Sequence, residues 1–191
     1  MRLTYEQKRT ARLLKNIPEG FTVVCEDESI VVHDAIVKSV WAPRGKRPVC
    51  TMMTGTHHSS TVFGSMCIDG RQLFRQYDWF DGKNSLDFLK KVHRKFGRLY
   101  LFLDKAAQHY KTRAVREYIR RNRHALRVRW IPTGCPEFNV MEECWRQLEK
   151  DLLFSRFYPK FSGLKDVISR YLRTKRFNLS MKKFLLTNRC G

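Results

Sequence analysis

The sequence predicts an α/β domain in which an antiparallel hairpin and parallel strands form one mixed sheet flanked by helices. Two strand-like runs, 61–68 and 72–77, lie on either side of Asp69-Gly70, and Asp-Gly between such runs is typical of a tight hairpin turn. Farther along the chain, strand-like runs alternate with helical patterns, and right-handed strand–helix–strand units place successive strands parallel.

Five segments have the composition and the bounds of strands. They are 21–26, 61–68, 72–77, 99–103 and 127–131. The run Leu99–Leu103 is apolar on both faces, which indicates a strand buried in a covered sheet. Residues 30–41 have an irregular pattern that predicts no element.

Helical periodicity marks the segments between the later strands and at both ends of the chain. The basic residues 3–17 predict a weakly amphipathic leading helix, and Asn84 or Ser85 is placed to cap the next one. A strongly basic helix is predicted from His109, and another after Asn139, which is a good N-cap. One more helix is predicted in the C-terminal part, where the last stretch is ambiguous.

The chain length suits one sheet domain with a short extension at either end. Of the 191 residues, we assign 1–20 to a basic leading helix or linker, 21–155 to the sheet domain and 156–191 to a basic helical extension. Hydrophobic residues make up 42% of the chain and aromatic residues 13%, so a substantial core can form and wholesale disorder is not expected.

The net charge indicates a polyanionic partner. The chain carries 38 Lys and Arg against 18 Asp and Glu, a net charge of +20, which repels itself unless anions are near. Nucleic acid is the leading candidate. An anionic membrane surface is the alternative, but the basic residues are spread along the chain and do not gather beside an apolar segment.

Cysteine spacing and hydropathy indicate the compartment. Six cysteines lie far apart, with neither a CxxC pair nor a histidine at zinc-finger spacing, which favours reduced core thiols. No run approaches the ~18 apolar residues of a membrane span, so we expect no span and predict no membrane partner. The N-terminus lacks the apolar core of a signal peptide. We therefore expect a cytoplasmic protein that is associated with the nucleoid when it binds DNA.

Three carboxylates occupy notable positions, and two of them follow predicted strands. Alternation along the first strand places Asp27 in the same row as Val23 and Cys25, so it extends a buried row. A carboxylate there is uncommon without a partner or a metal. Glu26 and Glu28 point to the other side, and we expect them to face solvent. Asp104 directly follows the buried strand 99–103.

The third carboxylate, Glu142, lies on the first turn of the helix that follows Asn139, one position from its apolar stripe. An alternative interpretation is that Asn139 and Glu142 only form a capping box. If the strands that precede Asp27 and Asp104 are neighbours, both acids meet at one edge and Glu142 can reach them. Carboxylate ligands without Cys or His favour Mg²⁺ or Mn²⁺. Two such ions ~4 Å apart can activate a water or a 3′-hydroxyl for attack on a phosphodiester.

At these residues the sequence resembles the mariner superfamily of DDE transposases, especially its bacterial insertion-sequence branch. The matching motifs, in chain order, are Asp27-Glu28-Ser29, Trp41 with Gly45 and Pro48, Phe63-Gly64, Asp104-Lys105-Ala106 with His109, and Pro136-Glu137-Phe138-Asn139-Val140-Met141-Glu142 with Trp145. The resemblance implies a ribonuclease-H-like fold with a mixed five-stranded sheet, which makes 21–155 a DDE catalytic domain. It also implies that Asp27, Asp104 and Glu142 are the catalytic residues and the ligands of two Mg²⁺ or Mn²⁺ ions. The implied activity is that of an endonuclease and polynucleotidyl transferase, in which metal-dependent strand cleavage and strand transfer give cut-and-paste transposition, typically into TA sites.

The sequence departs from the family pattern at two positions of these motifs. Lys105 replaces the usual Asn, and Val140 replaces the usual Pro. A cation beside Asp104 either weakens metal binding or contacts DNA. Family members recognise their transposon ends through helix-turn-helix modules ahead of the catalytic domain, and this chain starts just before its first strand. We therefore expect a catalytic domain alone, from a truncated copy or from the second frame of a split gene whose first frame encodes such a module.

Basic residues in two segments are candidates for DNA contact. The first segment is a loop stiffened by two prolines, and the second is the helix from His109. With polar residues of the motifs, the candidate DNA contacts are Arg44, Lys46, Arg47, Lys105, His109, Lys111, Arg113 and Asn139. A plain surface loop and a solvated helix are the competing interpretations.

Three functions remain open from the sequence. The first is the catalytic part of a transposase, acting on transposon ends and target DNA, with a homodimer as a possible assembly. The second is a DNA-binding remnant without catalytic activity, which the Lys105 replacement allows. The third is a structure-selective or RNA–DNA hybrid nuclease of the same fold.

Overall fold

The structure is a computed structural model. It describes residues 5–34, 36–37, 39, 41–49, 51, 55–104, 111–131 and 138–185.

Five strands form one mixed sheet. They are β1 (Thr22–Val32), β2 (Ser59–Cys67), β3 (Gln72–Tyr77), β4 (Leu99–Leu103) and β5 (Leu126–Trp130). In space the strand order is β3-β2-β1-β4-β5. The β1–β2 and β2–β3 pairs are antiparallel, whereas the β1–β4 and β4–β5 pairs are parallel. The predicted mixed five-stranded sheet is therefore confirmed.

Helices flank the sheet on both faces. They are α1 (Tyr5–Lys15), α2 (Gly82–Phe96), α3 (Arg113–Arg121), α4 (Val140–Leu148), α5 (Phe161–Thr174) and α6 (Met181–Leu185). A π-helical turn, Glu149–Leu153, continues α4. None of the helices in the described ranges is both long enough and apolar enough to cross a membrane.

Alternating residues of the sheet build two cores. On one face, Val23 and Cys25 of β1 pack in a cluster with residues of α4, α5 and α6. On the other face, Val24 of β1 and Leu101 of β4 pack in a cluster with residues of α2 and α3. Each fully buried aliphatic side chain contributes about 1.5–3 kcal/mol, so both layers stabilise the sheet. Successive side chains of β1 point to opposite faces of the sheet, so this strand contributes to both cores.

Both ends of the described chain share the core that covers the Cys25 face of the sheet. Leu13 and Leu14 of α1 pack against this core. Its C-terminal members are the buried side chains of Leu164, Ile168, Leu172, Phe177, Met181 and Leu185. Packing of α1 and of the last two helices therefore contributes to holding α4 on the sheet.

The predicted hairpin between β2 and β3 is confirmed. Asp69 Oδ1 accepts a hydrogen bond of 3.0 Å from the Arg71 amide, and Gly70 has a φ of +88°. Glycine adopts that conformation without steric strain. Asp69 is thus a turn residue, as its position between the two strands predicts.

Strand β1 is longer than predicted, and Glu26 is a correction to its predicted exposure. Its parallel pairing with β4 ends at Cys25, but its antiparallel pairing with β2 continues to Val32. Residues 30–32, whose irregular pattern predicted no element, therefore belong to the strand. Glu26 is only 1% exposed, because β1 is a central strand and both of its faces are covered. Glu28 is half-buried and does not face open solvent.

The start of α2 also differs from prediction. The N-cap is Asp81, whose side chain accepts a hydrogen bond of 2.7 Å from the Asn84 amide, so neither Asn84 nor Ser85 caps the helix. Asp81 lies three residues before Asn84 and has an extended backbone. Its side chain can therefore accept a hydrogen bond from the first amides of the helix, which have no partner within the helix. Helix α3 begins at Arg113. The predicted start of that helix, His109, lies outside the described residues.

Candidate active site

The sheet brings Asp27 and Asp104 to a common border. Cys25 of β1 pairs with Phe102 of β4 in a parallel ladder, and each acid lies two residues beyond its member of this pair. The condition that the two strands are neighbours is therefore met. Asp27 is 8% exposed, and Asp104 at the end of β4 is half-buried.

A glycine in β2 lets α4 lie close to the sheet above Asp27. Gly64 is paired with Asp27 across the β1–β2 ladder. A Cβ at this glycine would lie 2.5 Å from Met141 Cε, 2.6 Å from Trp145 Cη2 and 2.7 Å from Phe74 Cε1. Glycine in a strand interior is typical of such close approach. Gly64 therefore makes room for the two α4 side chains that cover the site.

Trp145 fixes the orientation of the Asp27 carboxylate. The indole Nε1–H of Trp145 donates a hydrogen bond of 2.9 Å to Asp27 Oδ2. Burial raises the pKa of Asp27 to about 7, the indole hydrogen bond opposes the rise, and the carboxylates of Glu28, Glu142 and Asp104 add to it. Asp27 thus carries a charge that is costly unless a cation or proton compensates it.

Glu142 is delivered by the first turn of α4. Asn139 is the N-cap, as predicted, and its Oδ1 accepts a hydrogen bond of 3.1 Å from the Met141 amide. The side chain of Glu142 is exposed, and together with Glu149 it lines a shallow depression of about 380 Å³. Partial desolvation of its carboxylate in this depression raises the pKa of Glu142, and the carboxylates of Glu149 and Asp104 raise it further.

The three predicted acids therefore share one electrostatic environment. Asp104 raises the pKa of both Asp27 and Glu142, so negative charge accumulates where β1, β4 and α4 meet. Across the described ranges, no three His, Cys, Asp or Glu side chains are arranged closely enough to hold one ion together. The donor set nevertheless fits Mg²⁺ or Mn²⁺, since it consists of carboxylate oxygens that repel one another in the absence of a cation.

The candidate DNA contacts lie in different settings. Arg44, Lys46 and Arg47 are exposed on a loop in which the Lys46 amide donates a hydrogen bond of 3.0 Å to the Pro43 carbonyl. Gly45 has a φ of +83°, which is typical of the third position of a type II turn. Trp41, beside this turn, is fully exposed.

The other candidates divide between surface, core and undescribed segments. Lys111 and Arg113 are exposed, and Arg113 Nε donates a hydrogen bond of 2.8 Å to Glu117 Oε1. Asn139 is 4% exposed, and its side chain caps α4. Lys105 and His109 lie outside the described residues.

Sequence reasoning gave no role to Gly64 and none to the Trp145 indole. A usable signal existed for the first, because a glycine inside the apolar run of β2 indicates close approach of another element. No local signal exists for the hydrogen bond to Asp27, which joins residues 118 positions apart. Glu149 was also missed, although it lies two helical turns after Glu142.

Replacing Trp145 with phenylalanine is expected to raise the pKa of Asp27 above its value of about 7. The substitution removes the indole donor, which favours the ionised carboxylate, and leaves the carboxylate buried. Titration of the ¹³C-labelled aspartate carboxyl groups by NMR measures the change. Trp79→Phe, at an indole that is 70% exposed, is the matched control and should leave the titration of Asp27 unaltered. An equal Asp27 titration in both variants would show that the indole does not act on the carboxylate.

The strand order, with Asp27 on β1 and Asp104 directly after β4, defines a ribonuclease-H-like domain. The sequence model of the DDE superfamily endonuclease family matches residues 22–165, and the chain belongs to this family. A search of curated proteins finds no match.

Solved structures of a transposase have the same fold. The Mos1 strand transfer complex matches with a TM-score of 0.67 at 15% identity, over 97% of this chain and 60% of that chain. The Mos1 paired-end complex with the left transposon end matches with a TM-score of 0.65 at 14% identity, over 97% of this chain and 59% of that chain. The catalytic domain of Mos1 mariner transposase gives a TM-score of 0.55 at 12% identity, over 97% of this chain and 88% of that chain. The chain thus spans about three fifths of the Mos1 chains in the strand transfer and paired-end complexes, and the likeness concerns the fold.

Proposed function

We propose that this chain is the catalytic domain of a mariner-type transposase, which cleaves DNA strands and joins them to a target with the help of divalent metal ions. One observation carries the proposal. In a domain of the DDE superfamily endonuclease family, the carboxylate that follows β4 raises the pKa of the buried acid on β1 and of the acid on α4, so three carboxylates interact at a single border of the sheet. Perturbed carboxylates that cluster in this way are typical of catalytic centres.

Asp27, Asp104 and Glu142 are the residues that would hold Mg²⁺ or Mn²⁺, and two ions are the number we propose. Among the similar structures are Mos1 paired-end complexes with Mn and with Mg, which supports this choice of metal. When bound, such ions polarise the phosphodiester and lower the pKa of the attacking water or 3′-hydroxyl. The chain's own contribution is positional, because Trp145 orients the Asp27 carboxylate and α4 carries Glu142, whose charge raises the pKa of Asp27.

DNA is the proposed substrate and partner. The net charge of +20 supports it, as do the exposed cations Arg44, Lys46, Arg47, Lys111 and Arg113. Similar structures are described as a paired-end complex with a transposon end and as a strand transfer complex. We extend the proposal to TA target sites, membership of the bacterial insertion-sequence branch, a homodimer, a separately encoded helix-turn-helix part and a location at the nucleoid.

The decisive assay is nicking of supercoiled plasmid with Mg²⁺ or Mn²⁺. The unaltered chain is expected to nick, and Asp104→Asn is expected to reduce nicking to background, since one carboxylate ligand is lost. Asp78→Asn makes the same chemical change at a surface carboxylate that pairs with Lys165 and should retain full activity. Nicking that survives Asp104→Asn would overturn the proposed centre. Joining of a labelled 3′-hydroxyl end to the plasmid separates a transposase from a nuclease that only hydrolyses.

A further inference from the structure

A second basic surface lies at the β3 edge of the sheet. The edge strand β3 forms one wall of an open groove of about 1160 Å³, and α5 with the segment after it forms the other. Its cationic lining residues are Arg71, Arg75, Lys95, Arg173 and Arg176. Strand β3 lies two strands from β1, which is about 10 Å at the spacing of a sheet, so this groove is distinct from the carboxylate centre.

The positive charge of the groove is poorly neutralised. Two acids also line it, Asp69 and Asp166. Asp69 pairs with Arg71 at 2.7 Å. In the part of the chain that the structure describes, no carboxylate lies within ion-pairing distance of the other four cations. Unpaired cations on facing walls of a groove are the usual setting for an anionic ligand.

Lys95 lies close enough to three arginines of the groove to feel their positive charge. The pKa of Lys95 is lowered, first by its partial burial and then by the charges of Arg75, Arg176 and Arg71. A like-charge cluster of this kind disfavours the protonated amine until an anion is added. The shift therefore agrees with the geometry of the groove and with an anionic occupant.

The two walls of the groove are fixed to each other. The Gln72 side-chain amide donates a hydrogen bond of 3.0 Å to the Phe177 carbonyl and accepts one of 3.3 Å from the Phe177 amide. Ser169 Oγ of α5 donates a hydrogen bond of 2.8 Å to Gln76 Oε1. These contacts hold Arg173 and Arg176 opposite β3 before any ligand binds, which reduces the entropy lost on binding.

Some of the groove cations can be explained as protecting the edge of β3 from pairing with another chain, but not all of them. Lys95 Nζ donates a hydrogen bond of 2.6 Å to the Gln72 carbonyl, and Arg75 donates one of 2.8 Å to the Phe74 carbonyl. Cations at such positions discourage pairing with another chain. Arg173 and Arg176 come from the other wall and make no such contact with β3 in the described structure. Their charge points to an anionic ligand in the groove.

We propose that the groove between β3 and α5 binds the phosphodiester backbone of duplex DNA, as a contact surface additional to the carboxylate centre. The choice of DNA as the polyanion rests on the proposed function. Open, solvated arginines on two rigid walls suit contacts to phosphates, which position DNA without reading its sequence.

The test compares two double variants in the full chain. Arg173→Gln with Arg176→Gln removes two charges from the groove, and Arg156→Gln with Arg170→Gln removes two exposed arginine charges from the same C-terminal part outside it. Binding of a fluorescent duplex is measured by anisotropy across a salt series. The groove variant is expected to bind about tenfold more weakly and to lower the log–log salt slope by about 1.8, at about 0.9 per phosphate contact. The control variant should retain the slope of the unaltered chain.

A second measurement uses the unaltered chain and so does not depend on the variant's folding. Modification of arginines by phenylglyoxal, read by mass spectrometry, should be suppressed by DNA at Arg75, Arg173 and Arg176. Equal slopes for both double variants, or modification of these arginines unaffected by bound DNA, would overturn the groove proposal. Metal-dependent nicking would then still stand on its own. Absence of both DNA binding and nicking in the unaltered chain would overturn the proposed function together with this one.

Discussion

Replacing Asp27 with asparagine is expected to abolish metal-dependent nicking and, in the same protein, to raise the stability of the metal-free fold at neutral and alkaline pH. Loss of one member of a catalytic unit commonly reduces the rate by about 10³-fold or more. Asparagine keeps the size of the side chain and an oxygen that accepts the Trp145 hydrogen bond, but it removes the buried charge.

The stability effect has a defined pH dependence. The pKa of Asp27 rises from 3.8 to about 7 on folding, so between these values the folded chain holds a proton that the unfolded chain has released. The unfolded state then binds fewer protons, and stability falls as the pH rises from about 4 to 7. At pH 8 the ionised, buried carboxylate costs up to about 4 kcal/mol, at 1.36 kcal/mol for each tenfold change. The asparagine variant lacks this cost.

Thermal unfolding measures the effect. At about 2–4 °C per kcal/mol for a domain of this size, Asp27→Asn should unfold some 10 °C higher at pH 8 and at nearly the same temperature at pH 4. Mn²⁺ should stabilise the unaltered chain at pH 8 and act far less on the variant, because a ligand that binds only the folded state stabilises it. Asp78→Asn is the control. A variant with normal nicking, or with the same pH dependence as the unaltered chain, would refute the role of Asp27.

Elements with strong local signals were predictable from the sequence. Asp69-Gly70 located the hairpin, and the apolar run Leu99–Leu103 identified a strand covered on both faces. The proximity of Asp27 and Asp104 followed from these, because a central β1 beside a parallel β4 places both acids at one border. Each of these inferences needs only residues that are near in sequence, together with the handedness of strand connections.

Features that depend on which faces are covered were not predictable. Alternation separates the two sides of β1 but does not indicate that a second helical layer covers Glu26. The basic groove at β3 was not predictable for the same reason. Arg75 and Arg176 are about a hundred positions apart in the sequence, and only the packing of α5 brings them to one groove. The composition shows that the chain is strongly basic. Only the tertiary structure shows which of the basic residues lie on the same surface.

Gly64→Ala is expected to be among the most destabilising single changes in the domain. The added Cβ would lie 2.5–2.7 Å from atoms of Met141, Trp145 and Phe74, so α4 must shift away from the sheet. Met141 Cε ends a flexible side chain, but the two ring atoms belong to rigid groups in a packed core. Overpacking of this kind costs about 1–3 kcal/mol or more, and three simultaneous contacts place the expected loss at the upper end of that range.

Gly163→Ala is the matched control, because it makes the same change in α5, where a Cβ meets no atom within 4 Å. Alanine in place of helical glycine should stabilise by about 0.5–1 kcal/mol, so the two substitutions have opposite signs. Denaturant unfolding measures both, and nicking gives a second readout. Because Gly64 sets the distance between α4 and β1, its alanine variant should lose the Trp145–Asp27 hydrogen bond and most of its activity even where it remains folded. A Gly64→Ala chain as stable and as active as the unaltered one would show that α4 does not depend on this close approach, and the position of Glu142 would then need another explanation.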